Sequence, residues 1–211
     1  MVSSGVQRLF YVAWTMIKLN LFFIIGSIMG GFILGIGPSF QSMNDLLTTN
    51  GIDYQKMTWR AFFNLWKQNF KRANIHFWLF SVSFFVISYN LYLSTQLSGL
   101  IWLIIDFMLV FVLLLLSVLY IYVLLYETKY EISTLNLLKL AFISVFLQFS
   151  SFLKVLFVLA SVLAITWYFK GLILFASFSL LMMFSGYVTK DIREIVDRKL
   201  GTNDSAYQTT I

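Results

Sequence analysis

The chain has no cysteine, one proline and one histidine in 211 residues. Without cysteine, disulfides, thiolate metal sites and cysteine-linked lipids are excluded. Charge is scarce as well: 11 % of residues are Asp, Glu, Lys or Arg, against about 25 % in an ordinary soluble domain. One histidine and nine acids leave little material for acid–base or metal chemistry, and no carboxylate pair has a spacing suited to it. The glycines near Gly35 and Gly37 lie in an apolar context without a lysine, so no phosphate-cradling loop is expected. Neither an enzyme nor a bound cofactor or metal is expected.

What is abundant is apolar surface. Hydrophobic residues make up 60 % and aromatics 19 % of the chain, and the mean hydropathy is +0.84. So much apolar surface cannot be kept from water in one small domain, and lipid is its natural solvent. The predicted fold class is all-α, a polytopic helical bundle in a single domain over 1–200. Five spans are expected near 19–36, 73–93, 100–126, 152–168 and 171–188. Interfacial helices are expected near 6–18, 57–72 and 132–150, the first of them either separate or continuing into the first span, and a disordered polar tail over 201–211. The N-terminal apolar run is long and Gly-rich, unlike a cleavable signal.

Gly26, Gly30, Gly31 and Gly35 form two overlapping GxxxG spacings in the first span, which let another backbone approach closely. That backbone belongs either to the same bundle or to a second copy. Pro38 ends this helix and opens the next, where its missing N–H costs nothing. The segment 57–72 then has the clearest pattern. Trp59, Phe62, Phe63, Trp66 and Phe70 recur on one face, with Arg60, Asn64, Lys67, Gln68 and Lys71 opposite. The expectation is a helix in the head-group layer, with Trp59 and Trp66 toward lipid. Arg60, Lys67 and Lys71 would then meet anionic head groups or a partner. Nucleic-acid binding is not expected, because the aromatic and basic residues face opposite ways. For 132–150 three placements fit: along the interface, partway into it, or inside the bundle.

Five spans place twelve of the fifteen Lys and Arg on one side, including those of the first connection, the middle connection and the tail. Arg8, Lys18 and Lys170 lie opposite. The positive-inside bias then predicts an outer N-terminus and a cytoplasmic C-terminus. His76 sits at the inner end of the second span, where a bond to a head group or to backbone is expected. Asp106 lies about 10 Å along the third helix from Gly99, and an ionisable residue at such depth is a site candidate. The candidate site is an outward-facing polar pocket of Asp106 with Asn20 and Asn90. The competing reading is a shallow Asp106 that only orients its helix.

Three features together carry a family resemblance: Asn20-Leu21 at the head of the first span, then GIGPSFQSMNDLL, then WRAFFNLWKQNFKRAN. They resemble the YesL family of bacterial membrane proteins, which share an Asn-Leu start, a Gly-Pro helix break and an aromatic, basic segment ending in Ala-Asn. Gly37-Pro38-Ser39 departs mildly from the Pro-Ala run of many members. The resemblance covers 20–74 and implies a cell-membrane location and an accessory role in carbohydrate utilisation. The expected function is thus a non-enzymatic accessory protein that docks on a sugar transporter or sensor. The alternative is a small transporter using the Asp106 pocket.

Overall fold

The computed structural model describes residues 5–53 and 55–208, the side chains of Val6, Arg8 and 202–208 excepted. The described residues are helical, without a strand, in nine helices. These are α1 (Gly5–Met29), α2 (Ile36–Asn50), α3 (Trp59–Ser94), α4 (Leu100–Glu127), α5 (Thr134–Leu147), α6 (Phe149–Tyr168), α7 (Leu172–Phe175), α8 (Ser177–Val188) and α9 (Lys190–Gln208). Among the described residues, four stretches are long and apolar enough to cross a membrane: Leu9–Met29 of α1, and α3, α4 and α6. The all-α membrane class is therefore as the composition predicts.

The expected interfacial helix 6–18 and first span are one helix that ends at Met29, earlier than expected. Gly31, at φ +65°, turns the chain there, and Phe32 follows at φ +60°, a backbone region that bulky residues rarely occupy. Pro38 does not end α1. It lies in the first turn of α2, where no N–H is missed. Of the spaced glycines, Gly26 and Gly35 are crowded from within the fold, a Cβ on Gly26 coming within 2.5 Å of Ser39 Oγ, while one on Gly31 would meet nothing within 4 Å. A Cβ on Gly35 would overlap Ser27, and one on Gly37 would come within 2.8 Å of Ala73 O. Asn74 Nδ2 ties the turn to α3 by donating to Leu34 O at 3.0 Å.

Helix α2 turns back along α1 and is buried from Gly37 to Leu46 except for the half-buried Phe40. Near its far end, Thr15 Oγ1 donates to Ile52 O at 3.3 Å. The start of α1 thus lies beside the connection that leads to the basic half of α3. The charge count put those two segments on opposite sides of a membrane; it treated 37–72 as a surface connection and missed that α2 doubles back. The Arg8 side chain used in that count lies outside the described residues.

The expected helix 57–72 and second span are one continuous α3 of 36 residues. Nothing breaks it, since 59–94 contains neither Gly nor Pro. Thr58 caps its start by accepting from Ala61 N at 3.2 Å. Helix α5, with 14 residues, is short for a span and packs one face against α4. Leu137, Ala141 and Ser144 are buried, while Phe142 and Phe146 face outward. Tyr126 Oη donates to Ser144 Oγ at 2.7 Å.

The expected fifth span is interrupted at Ala176 into α7 and α8. In the expected tail, α9 continues to Gln208, and 209–211 lie outside the described residues.

Candidate functional site

Helix α4 ends at Glu127, which leaves its last carbonyls without intrahelical donors. Helix α2 supplies them. Asn44 Nδ2 donates to Leu124 O at 2.8 Å and to Thr128 Oγ1 at 2.7 Å. Gln41 Nε2 donates to Asp45 Oδ1 at 2.9 Å and also lies 3.3 Å from Leu124 O. Asp45 gathers these groups: its Oδ1 accepts from Thr128 Oγ1 at 2.5 Å, and its Oδ2 from Asn69 Nδ2 at 2.6 Å. One buried carboxylate thereby fixes α2 to both α3 and α4.

Beside it lies a second buried acid. The Glu127 side chain is 5 % exposed; Arg72 Nε stands 3.0 Å from its Oε1 and His76 Nδ1 2.6 Å from its Oε2. A carboxylate only accepts, so His76 Nδ1–H is the donor. His76 Nε2 meets Thr134 Oγ1 at 3.2 Å, and Arg72 Nη2 donates to Ile132 O at 2.5 Å. His76 therefore bonds neither a head group nor backbone, as had been expected, but a buried carboxylate and a hydroxyl. Asp45 has no cationic partner among the described residues. Burial pushes its carboxyl above the ordinary range, against the lowering bonds from Thr128, Gln41 and Asn69; the nearby charge of Glu127 adds to the rise.

The arrangement is a four-helix polar clamp of α2, α3, α4 and the start of α5, closed around two acids. No group of three His, Cys, Asp or Glu suited to a metal occurs among the described residues.

The Asp106 pocket is not assembled. Ser94 Oγ donates to Asp106 Oδ1. Asn90 is exposed and bonds Val86 O of its own helix at 2.8 Å. Asn20 is fully buried elsewhere, where α7 breaks into α8. Its Nδ2 donates to Ile173 O and Leu174 O, both at 2.8 Å. Its Oδ1 accepts from Phe178 N at 3.0 Å and Ser179 N at 3.3 Å. One amide thus serves four backbone groups that the interrupted helix cannot pair, a need that is acute in lipid.

On α3, Arg60, Asn64, Lys67, Gln68 and Lys71 form an exposed face, as predicted. The aromatic face is partly taken up inside the fold, with Trp59, Phe63, Trp66 and Phe70 half-buried. Phe62 is buried, and Trp59 stacks on Phe62 at 5.6 Å and meets Phe22 of α1 at 5.4 Å. Trp66 lies between Phe63 and Phe70, at 5.9 and 4.9 Å.

The polar clamp escaped the sequence reading. Asp45 and Glu127 sit in segments that look like a connection and a polar break. The available signal was their rarity, because nine acids in the whole chain make any acid close to an apolar helix conspicuous.

No curated protein and no solved structure matches the chain. Residues 16–91 match the family model described as "Protein of unknown function, DUF624". That stretch holds Asn20, Asp45, Asn69, Arg72 and His76, while Glu127, Thr128 and Thr134 lie beyond it. That stretch spans the break after α1, the folded-back α2 and the aromatic, basic start of α3, and the chain carries the domain found in YesL-like membrane proteins.

Proposed function

We propose that the chain is a non-enzymatic accessory protein of the bacterial cell membrane, one that docks on a sugar importer or sensor. The carbohydrate link comes from the YesL resemblance alone. The observation that supports docking is the two-sided start of α3. Trp59 packs on Phe22 of α1 and Phe62 is buried with Met43 and Leu46 of α2, while Arg60, Lys67 and Lys71 stay exposed. A cationic face on a fixed backing suits recognition of an acidic partner surface or anionic head groups, because little ordering remains to be done on binding. The proposed sidedness puts this face, Lys129 and α9 in the cytoplasm. The outward-pocket transporter reading has no assembled pocket behind it, since Asn20 is engaged far along the chain from Asp106.

Co-purification after gentle solubilisation tests the proposal, comparing the natural chain with a Lys67→Glu, Lys71→Glu variant. A membrane transporter or sensor subunit held by the first and lost by the second supports it. Recovery of both proteins alone counts against docking.

A further inference from the structure

Two clefts in the bundle differ in chemistry. The larger, about 530 Å³, is walled mostly by aromatic and aliphatic side chains, among them Phe40, Phe77, Phe80, Leu159 and Met182. It faces the spans and resembles their lipid-exposed surface. The smaller, about 290 Å³, lies between the end of α2 and the junction of α8 with α9. Asn44, Thr48, Tyr187 and Arg193 line it with polar groups, beside Leu125 and Met183. Arg193 is its one charged lining residue, and no acid lines it.

From this cleft we infer a binding site for a phosphate-bearing anion, anchored by Arg193 and independent of the docking reading. Arg193 has no ion pair among the described residues. Its Nη2 donates to Gly186 O at 2.5 Å, capping α8, while its buried Nε has no partner. Asp197 lies within electrostatic range of Arg193, but its two oxygens are bonded by Lys129 and Tyr130.

A guanidinium carries five N–H donors in a planar fork that fits phosphate oxygens. The capping bond uses one of them. The hydroxyls of Thr48 and Tyr187 supply neutral polar groups around it, as small-ligand sites commonly do, while the Asn44 amide nitrogen is already spent on Leu124 O and Thr128 Oγ1. The volume suits a single phosphate group with a short substituent better than a long apolar molecule. Such a group comes either from a lipid head group or from a soluble phosphate ester, and both present the same oxygens to Arg193.

The test uses the full chain and two probes. In neutral detergent, thermal unfolding is followed in sodium phosphate and in sodium chloride of equal ionic strength. In nanodiscs, it is followed in phosphatidylglycerol and in monogalactosyl diacylglycerol, which lacks phosphate. Saturable stabilisation by inorganic phosphate supports the site and assigns it to a soluble ester. Stabilisation by phosphatidylglycerol alone supports it with a head group as the source. In either case Arg193→Gln, whose amide can still cap Gly186 O, is expected to weaken the effect at least about tenfold, the size of one charge-assisted hydrogen bond. Thr48→Val, on the exposed lip, is the second variant should the first fail to fold, and is expected to weaken the effect by less. The inference is overturned if neither probe stabilises the natural chain, or if the stabilisation survives unchanged in a folded variant.

Discussion

Thr15 Oγ1 and Ile52 O lie 3.3 Å apart, although 37 residues separate them. This bond places the N-terminal part of α1 at the same end of the α1–α2 hairpin as the Gly51–Thr58 connection. The chain contains no cysteine, so single cysteines can be introduced cleanly. Cysteines replacing Gln7 and Lys56 are expected to react with a membrane-impermeant thiol reagent from the same side of the membrane. Labelling from opposite sides would restore the arrangement that charge counting suggests.

Asn20 offers a sharper stability test. Asn20→Ala strands the backbone groups of Ile173, Leu174, Phe178 and Ser179, and a cost of about 2–4 kcal/mol is expected, given about 1–3 kcal/mol per buried unsatisfied group and partial relaxation. Asn90→Ala, which removes only a bond to its own helix, is expected to fall within about 0.5 kcal/mol of the natural chain. Unfolding in mixed micelles compares the two, and equal effects would deny Asn20 its stitching role.

The clamp predicts a pH dependence with a definite sign. The folded Asp45 carboxyl holds its proton more tightly than the unfolded one. Its contribution is therefore complete below the ordinary carboxylate range and is lost as pH rises through the raised value. Asp45→Asn is expected to remove that part of the slope when thermal midpoints are plotted against pH. An unchanged slope would assign the dependence to other groups.

Glu127 holds two cationic or donor groups at once. Glu127→Leu would strand His76, which is 1 % exposed at its side chain, and Arg72, which is 39 % exposed. A cost of about 3 kcal/mol is expected, toward the low end for breaking a buried pair because water still reaches Arg72. Chemical denaturation in micelles measures it, and a loss under a few tenths would mean the pair is not under tension from burial.

Packing at the glycines separates crowded positions from open ones. A Cβ at Gly37 would approach Ala73 O at 2.8 Å and Phe77 Cβ at 2.9 Å, whereas one at Gly186 meets its nearest atom at 3.9 Å. Gly37→Ala is expected to cost about 1–3 kcal/mol through overpacking. Gly186→Ala is expected to be neutral or slightly stabilising, since alanine is the better helix former. A reversal of that order would mean that α2 does not press on α3 as described.

The helical class was legible because long apolar runs admit few solutions in lipid. The face pattern of α3 was legible too: Arg60, Lys67 and Lys71 are exposed where the period puts them. What covers the opposite face was not, because periodicity records that Trp59 and Phe62 are apolar without telling lipid from Phe22. The fold-back of α2 was hidden for a related reason. Its polar residues, Gln41, Asn44 and Asp45, look like surface in a linear reading, yet they are buried by bonding the loose end of α4. Asn20 was legible as an unusual residue in an apolar run, but its partners lie more than 150 positions away, beyond the reach of any local pattern.

Helix α3 runs for 36 residues, about 54 Å at about 1.5 Å per residue, well beyond the roughly 30 Å of a hydrocarbon core. It carries Lys67 near one end and Asn90 near the other, without a glycine or proline joint between them. Such a rod has no hinge at the boundary between water and lipid. A tilt imposed on the Lys67 end by whatever it touches must therefore swing the Asn90 end through the bilayer as one rigid piece.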